Sequence, residues 1–276
     1  MTLRSLVAVA LSVTAVLVAL VVIVRWLEPR FAFFPSVGEG VTPHDFGVEF
    51  EPVSISTRDG ERLHGWWLRP PSPRASILYF HGNGGNLSVW APILAGIAKR
   101  GYTLLAFDYR GYGLSTGRPT EQGLYRDVNA VLEEFATRVP ADRPRLYLGR
   151  SLGVVMAAYA TTIHAPDGLI LESGFPSARS LLRNSPLLFV LSSFASYRFP
   201  AAAFLQARST PSPVLVLHGD HDRIVPIDQG RALFEAVSQP KQFVTIPGGD
   251  HNDDTPADPA TYWHSVDAFI SRLRRM

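Results

Sequence analysis

The chain has 276 residues, 46% of them hydrophobic and 18% charged, which excludes disordered and fibrous chains and leaves room for one large α/β domain. It has no cysteine, so disulfide scaffolds, thiolate zinc sites and cysteine nucleophiles are excluded. A net charge of +2 without a dense Lys/Arg stripe argues against nucleic acid as a partner.

Residues 6–24 are an apolar run interrupted only by Ser12 and Thr14. As a helix the run would span roughly 28 Å at ~1.5 Å per residue, close to the hydrocarbon thickness of a bilayer. A cleaved signal peptide has a shorter apolar core, of about 7–15 residues, and a small-x-small cleavage site. This run ends instead in Val22-Ile23-Val24-Arg25-Trp26. Residues 1–30 are therefore expected to form an uncleaved signal anchor that contacts the membrane through residues 6–24, with Trp26, Phe31, Phe33 and Phe34 as an interfacial aromatic belt. Arg4 on one side and Arg25 and Arg30, offset by Glu28, on the other do not fix the orientation. Arginine far outnumbers lysine (only Lys99 and Lys241), which suggests a GC-rich bacterial genome. An uncleaved anchor there places the catalytic domain on the extracytoplasmic side.

Residues 31–47 read as a linker and residues 48–276 as the catalytic domain. Val48-Glu49-Phe50 and Val53-Ser54-Ile55-Ser56 alternate as strands, Asp59-Gly60 signals a hairpin turn, and residues 63–68 return. From there strands alternate with helices. Ile77-Leu78-Tyr79-Phe80 precedes a Gly/Asn loop and a helix ending near Arg100. Residues 103–107 precede a helix over 120–137, and Leu146-Tyr147-Leu148 precedes a helix beginning near Ser151. Leu169-Ile170-Leu171, Val214-Leu215-Val216-Leu217 and Phe243-Val244-Thr245-Ile246 complete the series, with helices over 228–237 and 262–273. An antiparallel start followed by strand–helix units predicts an α/β fold with a mostly parallel sheet and helices on both faces. Its chemistry belongs in the loops at the carboxyl ends of the strands.

Gly149-Arg150-Ser151-Leu152-Gly153 follows one such strand and opens a helix, the setting of a G-x-S-x-G nucleophile elbow. A serine needs an imidazole to take its proton and a carboxylate to orient that imidazole. His251, in Gly249-Asp250-His251-Asn252, and the acids of His218-Gly219-Asp220-His221-Asp222 follow later strands in the order serine, acid, histidine. Asp220 adjoins its strand, whereas Asp222 lies further out, within reach of a histidine loop, and is favoured. The backbone amides of Leu152 and of Asn83, in His81-Gly82-Asn83-Gly84-Gly85, are the expected oxyanion-hole donors. The glycine loop lacks the Lys-Ser/Thr pair of a phosphate loop. No separated ligand set makes a metal site of residues 218–222. No cofactor and no metal are expected.

These stretches, with Asp108-Tyr109-Arg110-Gly111-Tyr112-Gly113 and Leu171-Glu172-Ser173, resemble the α/β-hydrolase superfamily, and more narrowly its membrane-anchored branch with little or no cap domain. The resemblance covers almost all of the chain from about residue 50. It implies an α/β-hydrolase fold, Ser151 as nucleophile, Asp222 as acid, His251 as base, and Asn83 and Leu152 as oxyanion donors. Val154, where the family more often has glycine, and Asp250, where a small residue is more usual, depart from the pattern without removing a catalytic group. Residues 174–212 form an apolar insert, with Leu187, Leu188 and Phe194, that is either an acyl-binding wall over Ser151 or ordinary packing against the sheet.

The function expected is a membrane-anchored serine hydrolase cleaving carboxylic esters through an acyl-enzyme, on a small-molecule or lipid-like acyl ester. An acyl thioesterase or a serine peptidase would use the same three residues. A catalytically idle, membrane-anchored binding module is the non-enzyme alternative. Epoxide hydrolase and dehalogenase chemistry requires aspartate at the elbow, and Ser151 excludes both.

Overall fold

In a computed structural model, which describes residues 2–140, 142–208, 210–253 and 255–273, the apolar segment forms helix α1, Leu3–Ala32. None of its residues is buried, and it is long and apolar enough to cross a membrane. It runs eight residues past the apolar run, so the chain is still helical where it reaches the domain.

The strands are β1 (Phe34–Pro35), β2 (Glu51–Ser56), β3 (Arg62–Leu68), β4 (Ala75–Phe80), β5 (Gly84–Gly85), β6 (Tyr102–Phe107), β7 (Arg145–Arg150), β8 (Gly168–Glu172), β9 (Val214–Gly219) and β10 (Lys241–Ile246). Eight of them make one sheet in the order β10-β9-β8-β7-β4-β6-β3-β2. The hairpin β2–β3 is antiparallel and joins β6 antiparallel, while every other pairing is parallel. The helices are α2 (Leu87–Lys99), α3 (Glu121–Arg138), α4 (Leu152–Ala160), α5 (Ala178–Leu181), α6 (Pro186–Leu191), α7 (Ala201–Ala207), α8 (Ile227–Ala236) and α9 (Pro259–Leu273).

Because side chains alternate along a strand, β4 sends Leu78 and Phe80 to one face and Ile77 and Tyr79 to the other. The first face packs on α3, α4, α7 and α8, the second on α2 and α9. α4 (Leu-Gly-Val-Val-Met-Ala-Ala-Tyr-Ala) is apolar all round, as suits a helix with eight of its nine residues buried. β6, the next strand of this sheet in sequence, lies on one side of β4 and β7 lies on the other. The strand order thus reverses at β4, and the crevice beyond the carboxyl ends of β4 and β7 is where such sheets bind ligands. This is the α/β-hydrolase fold.

Three expectations are corrected. Val48-Glu49-Phe50 forms no strand. β2 starts at Glu51 on the sheet edge, and Val48 and Phe50 instead pack against the α2 face. Residues 31–47, read as a linker, are built into the domain. β1 pairs parallel with β5, and Pro43–Phe46 forms a 3-10 turn. Phe33 leaves the expected interfacial belt, being 3% exposed and packed on Tyr197 and Phe199. Trp26, Phe31 and Phe34 are exposed. The insert divides. α7 buries Ala201 and Leu205 completely in the core, whereas α6 exposes Leu187, Leu188 and Val190.

Candidate active site

Ser151 stands between β7 and α4 with φ 54° and ψ −116°, a conformation that a non-glycine residue adopts at a cost of about 1–3 kcal/mol. The surroundings enforce it. The Ser151 amide donates to the Glu172 carbonyl at 2.9 Å, and both flanking glycines sit where a side chain has no room. A Cβ at Gly149 would lie 2.2 Å from the Gly153 carbonyl oxygen, and one at Gly153 would lie 1.9 Å from the Phe80 oxygen. The turn is therefore as tight as the sequence requires.

His251 Nε2 lies 3.0 Å from Ser151 Oγ. His251 Nδ1 lies 2.8 Å from Asp222 Oδ2. With Nδ1–H donating to the carboxylate, Nε2 is the bare nitrogen that accepts from the serine hydroxyl. Asp222 is 6% exposed, and its Oδ1 accepts the amides of Ile224 (3.1 Å) and Val225 (2.7 Å). Burial pushes its pKa up, but the His251 hydrogen bond and charge and the Val225 amide outweigh burial and hold it below the ordinary carboxylate value. Asp220, the other acid weighed, is turned away. It accepts from His221 Nδ1 (2.7 Å) and the Gly248 amide (2.8 Å). Among the described residues no group of His, Asp and Glu side chains is arranged to hold a metal. Asp250 Oδ1 accepts the main-chain amide of His251 at 2.6 Å, so it shapes the loop.

The loop that carries Asn83 and the start of α4 meet at Ser151. Gly82, beside Asn83, approaches Ser151 so closely that a Cβ there would lie 3.5 Å from the serine Cβ. Leu152 opens α4, whose N-terminus faces Ser151. Neither the Asn83 nor the Leu152 main-chain N–H donates a hydrogen bond among the described residues. Two free amides beside a hydroxyl aligned with an imidazole and a buried carboxylate can carry out acyl transfer.

Residues 71–210 match the family model described as serine aminopeptidase, S33. The chain belongs to the S33 family of α/β hydrolases. The uncharacterised protein YfhR of Salmonella typhimurium is 31% identical to it over 257 residues, 85% of this chain and 86% of YfhR. An uncharacterised membrane protein of Saccharomyces cerevisiae is 30% identical over 248 residues, 86% of this chain and 87% of that one. With α1, that relative supports membrane anchoring of the S33 hydrolase. An esterase of Pyrococcus furiosus shares its fold, with a TM-score of 0.69 at 20% identity over 87% of this chain and 97% of the esterase. The matched residues of the S33 model include Asn83, Ser151 and Leu152, while Asp222 and His251 lie beyond them.

Sequence reasoning passed over Arg150. In the hydrolase it is 3% exposed, and its Nη2 donates to the carbonyls of His251 (3.0 Å) and Asp253 (2.6 Å). Its Nε lies 3.5 Å from Glu172 Oε1, whose partner oxygen accepts from Tyr262 (2.9 Å). The guanidinium also lies over the Trp90 ring, 5.1 Å from its centroid. Burial opposes the charge, and Glu172, Tyr79, Tyr262 and Asp253 together outweigh it. The residue next to the serine thus grips the backbone of the histidine loop. Behind that loop is a polar cavity of about 30 Å3, lined by Arg150, Glu172, His218, Asp250, Asp253 and Tyr262, with room for a water but not for an acyl group. Arg150→Met is expected to lower kcat about tenfold to hundredfold, through misplacement of His251, with KM within about twofold of wild type. Lysine should not rescue it, because a compact ammonium lacks the planar guanidinium that lies over the indole while holding both carbonyls. Steady-state kinetics beside Tm of the variants checks this, and a rise in KM with kcat unchanged would refute it.

The loop that carries Asn83 rests on a buried pair. His81 Nε2 lies 3.6 Å from Asp108 Oδ1, and the Leu87 amide donates to that oxygen at 2.9 Å. Burial pushes His81 down to about 4 and Asp108 up to about 7, with the Leu87 amide offsetting part of the latter. Between its ordinary carboxylate value and about 7, Asp108 keeps a proton in the folded state that the unfolded chain has released. Its contribution to stability is therefore full at low pH and is lost as pH rises through that window. The Tm of wild type minus that of Asp108→Asn is expected to fall by about 5 °C between roughly pH 5 and 7. A difference that does not change with pH, measured by thermal scans, would contradict this.

Proposed function

We propose that the chain is a membrane-anchored serine hydrolase that cleaves carboxylic esters through an acyl-enzyme on Ser151. The observation that carries this reading is the unbroken line Asp222 Oδ2, His251 Nδ1, His251 Nε2, Ser151 Oγ, with contacts of 2.8 and 3.0 Å. His251 Nε2 takes the Ser151 proton as Oγ attacks the ester carbonyl, and Asp222 stabilises the resulting imidazolium. The Asn83 and Leu152 amides donate to the carbonyl oxygen as its negative charge develops. As the tetrahedral intermediate collapses, the C–O bond to the alcohol breaks and His251 returns the proton to the leaving oxygen. Water, deprotonated by the same imidazole, then releases the acid and regenerates Ser151. Residues 6–24 are the anchor in this reading, with the catalytic domain on the extracytoplasmic side. The apolar side chains of α6 favour a hydrophobic acyl group.

The aminopeptidase description of the matching family favours a second reading, in which the same residues cleave an amide at a peptide N-terminus. The full chain in detergent micelles separates the two with p-nitrophenyl esters of increasing acyl length and aminoacyl p-nitroanilides. The ester reading expects a burst of one equivalent of p-nitrophenol per chain followed by slower turnover. Faster cleavage of the anilides than of every ester would transfer the assignment to peptidase, and turnover of neither would remove both.

A further inference from the structure

Before it enters the eight-stranded sheet, the peptide leaving α1 is bound both to the insert and to the loop between β4 and α2. Near the helix end, Glu28 accepts the main-chain amides of Ser196 (2.9 Å) and Tyr197 (2.6 Å), in the insert. Phe33 packs edge-on against Tyr197 and Phe199, with ring centroids 5.5 and 5.9 Å away. The next contacts are with the loop between β4 and α2. Asn83 Nδ2 donates to the Ala32 carbonyl at 2.8 Å, Phe34 and Pro35 pair with Gly84 and Gly85, and the Ser36 amide donates to the Gly85 carbonyl at 2.8 Å. Asn86 Nδ2 donates to the Gly38 carbonyl at 2.7 Å. The strap is itself tied down, since the Gly38 amide donates to the Gly113 carbonyl (2.9 Å) and the Gly113 amide to the Ser36 carbonyl (2.8 Å).

Asn83 is held from the other side as well. The Tyr112 hydroxyl lies 2.8 Å from its Oδ1 and 3.0 Å from its main-chain oxygen. Its side chain is thus spent on Ala32 and Tyr112, while its main-chain N–H is left over on a loop that touches Ser151. A loop containing Gly82, Gly84 and Gly85 has more backbone freedom to lose than any other kind. A donor that fluctuates by an ångström is a poor oxyanion ligand.

We propose that residues 32–38 are a positioning strap for the Asn83 amide, so that the exit of the membrane helix is part of the oxyanion site and not a tether to it. The inference rests on the serine-hydrolase reading above. Ala32 and Phe33 touch no substrate. They act through Asn83, whose amide meets the carbonyl oxygen in the transition state more strongly than in the ground state. Loss of the strap therefore lowers kcat and leaves KM in place.

The test uses the full chain in detergent micelles, with p-nitrophenyl butyrate as substrate and a trifluoromethyl ketone as transition-state analogue. Asn83→Ala and Phe33→Ala are each expected to lower kcat about tenfold to hundredfold, with KM within about twofold. Affinity for the ketone should fall by the same factor as kcat/KM. The double variant should be no slower than the worse single one, because both changes release one loop. Phe31→Ala, at a position 73% exposed, should match wild type. Asn83→Ala, on a partly exposed loop, carries the test if Phe33→Ala does not fold. Wild-type kcat in folded Asn83→Ala and Phe33→Ala would overturn the strap alone. So would losses that multiply, or a rise in KM in place of a fall in kcat. A wild-type chain inert toward ester and ketone would overturn the hydrolase reading and the strap's role together.

Discussion

His251→Ala is expected to lower kcat for a p-nitrophenyl ester by a factor on the order of 10⁵–10⁶, as much as Ser151→Ala, with the double variant no slower than either. The reason is the 3.0 Å contact between Nε2 and Oγ. Without a base the hydroxyl keeps its proton and is a weak nucleophile, and without the hydroxyl the base has nothing to activate, so the two losses are one. Residual turnover above water should persist through the Asn83 and Leu152 amides. Steady-state rates of the three variants in detergent decide this. A His251→Ala enzyme retaining more than about one part in a hundred of wild-type kcat would mean that another group takes the serine proton.

Asp222→Asn is expected to lower kcat by about 10⁴ while leaving the fold and KM nearly unchanged. Asparagine fills the same volume, but its amide nitrogen can donate to Nδ1 and so select the tautomer that puts the proton on Nε2, where it blocks the serine. It also removes the charge that stabilises the imidazolium. Asp220→Asn is the matched control. That carboxylate bonds His221 and Gly248 and not His251, so its loss should change kcat less than about threefold. If Asp220→Asn proved the damaging substitution, the acid would have been assigned to the wrong side of the loop.

Much of this was legible in the sequence, for a definite reason. Strands buried on both faces must be continuously apolar, so Ile77-Leu78-Tyr79-Phe80 and Val214-Leu215-Val216-Leu217 announce themselves, and the polar residues next to their carboxyl ends stand out as candidates for chemistry. Gly149 and Gly153 are readable because close approach of backbone leaves no other residue possible. Other features leave no such trace. Val48-Glu49-Phe50 alternates like a strand, but a strand also needs a neighbour, and β2 already forms the sheet edge. Phe33 looks like a membrane-interface aromatic because composition does not say which of several rings turns inward.

Arg150 occupies a free position of the elbow motif, and its two bonds are to main-chain carbonyls, which any residue can supply. The only signal was a charge at the end of an apolar strand. The strap is invisible for the same reason. The strap meets the Asn83 loop mainly through its own main-chain atoms, so residues 31–47 read as a linker by composition while being built into the domain. The α1 helix was recognised from its apolar run, but the coupling of its end to the site depends on Glu28 and Ala32, and neither belongs to a motif.

The most direct measurement is covalent labelling of the full chain with a fluorophosphonate, followed by digestion and mass spectrometry of the adduct. Labelling on the peptide containing Ser151, lost in Ser151→Ala and strongly slowed in His251→Ala, is the result expected of a serine activated by His251. A folded wild-type chain that resists the probe, or one labelled equally well after either substitution, would contradict the assignment of Ser151 as nucleophile.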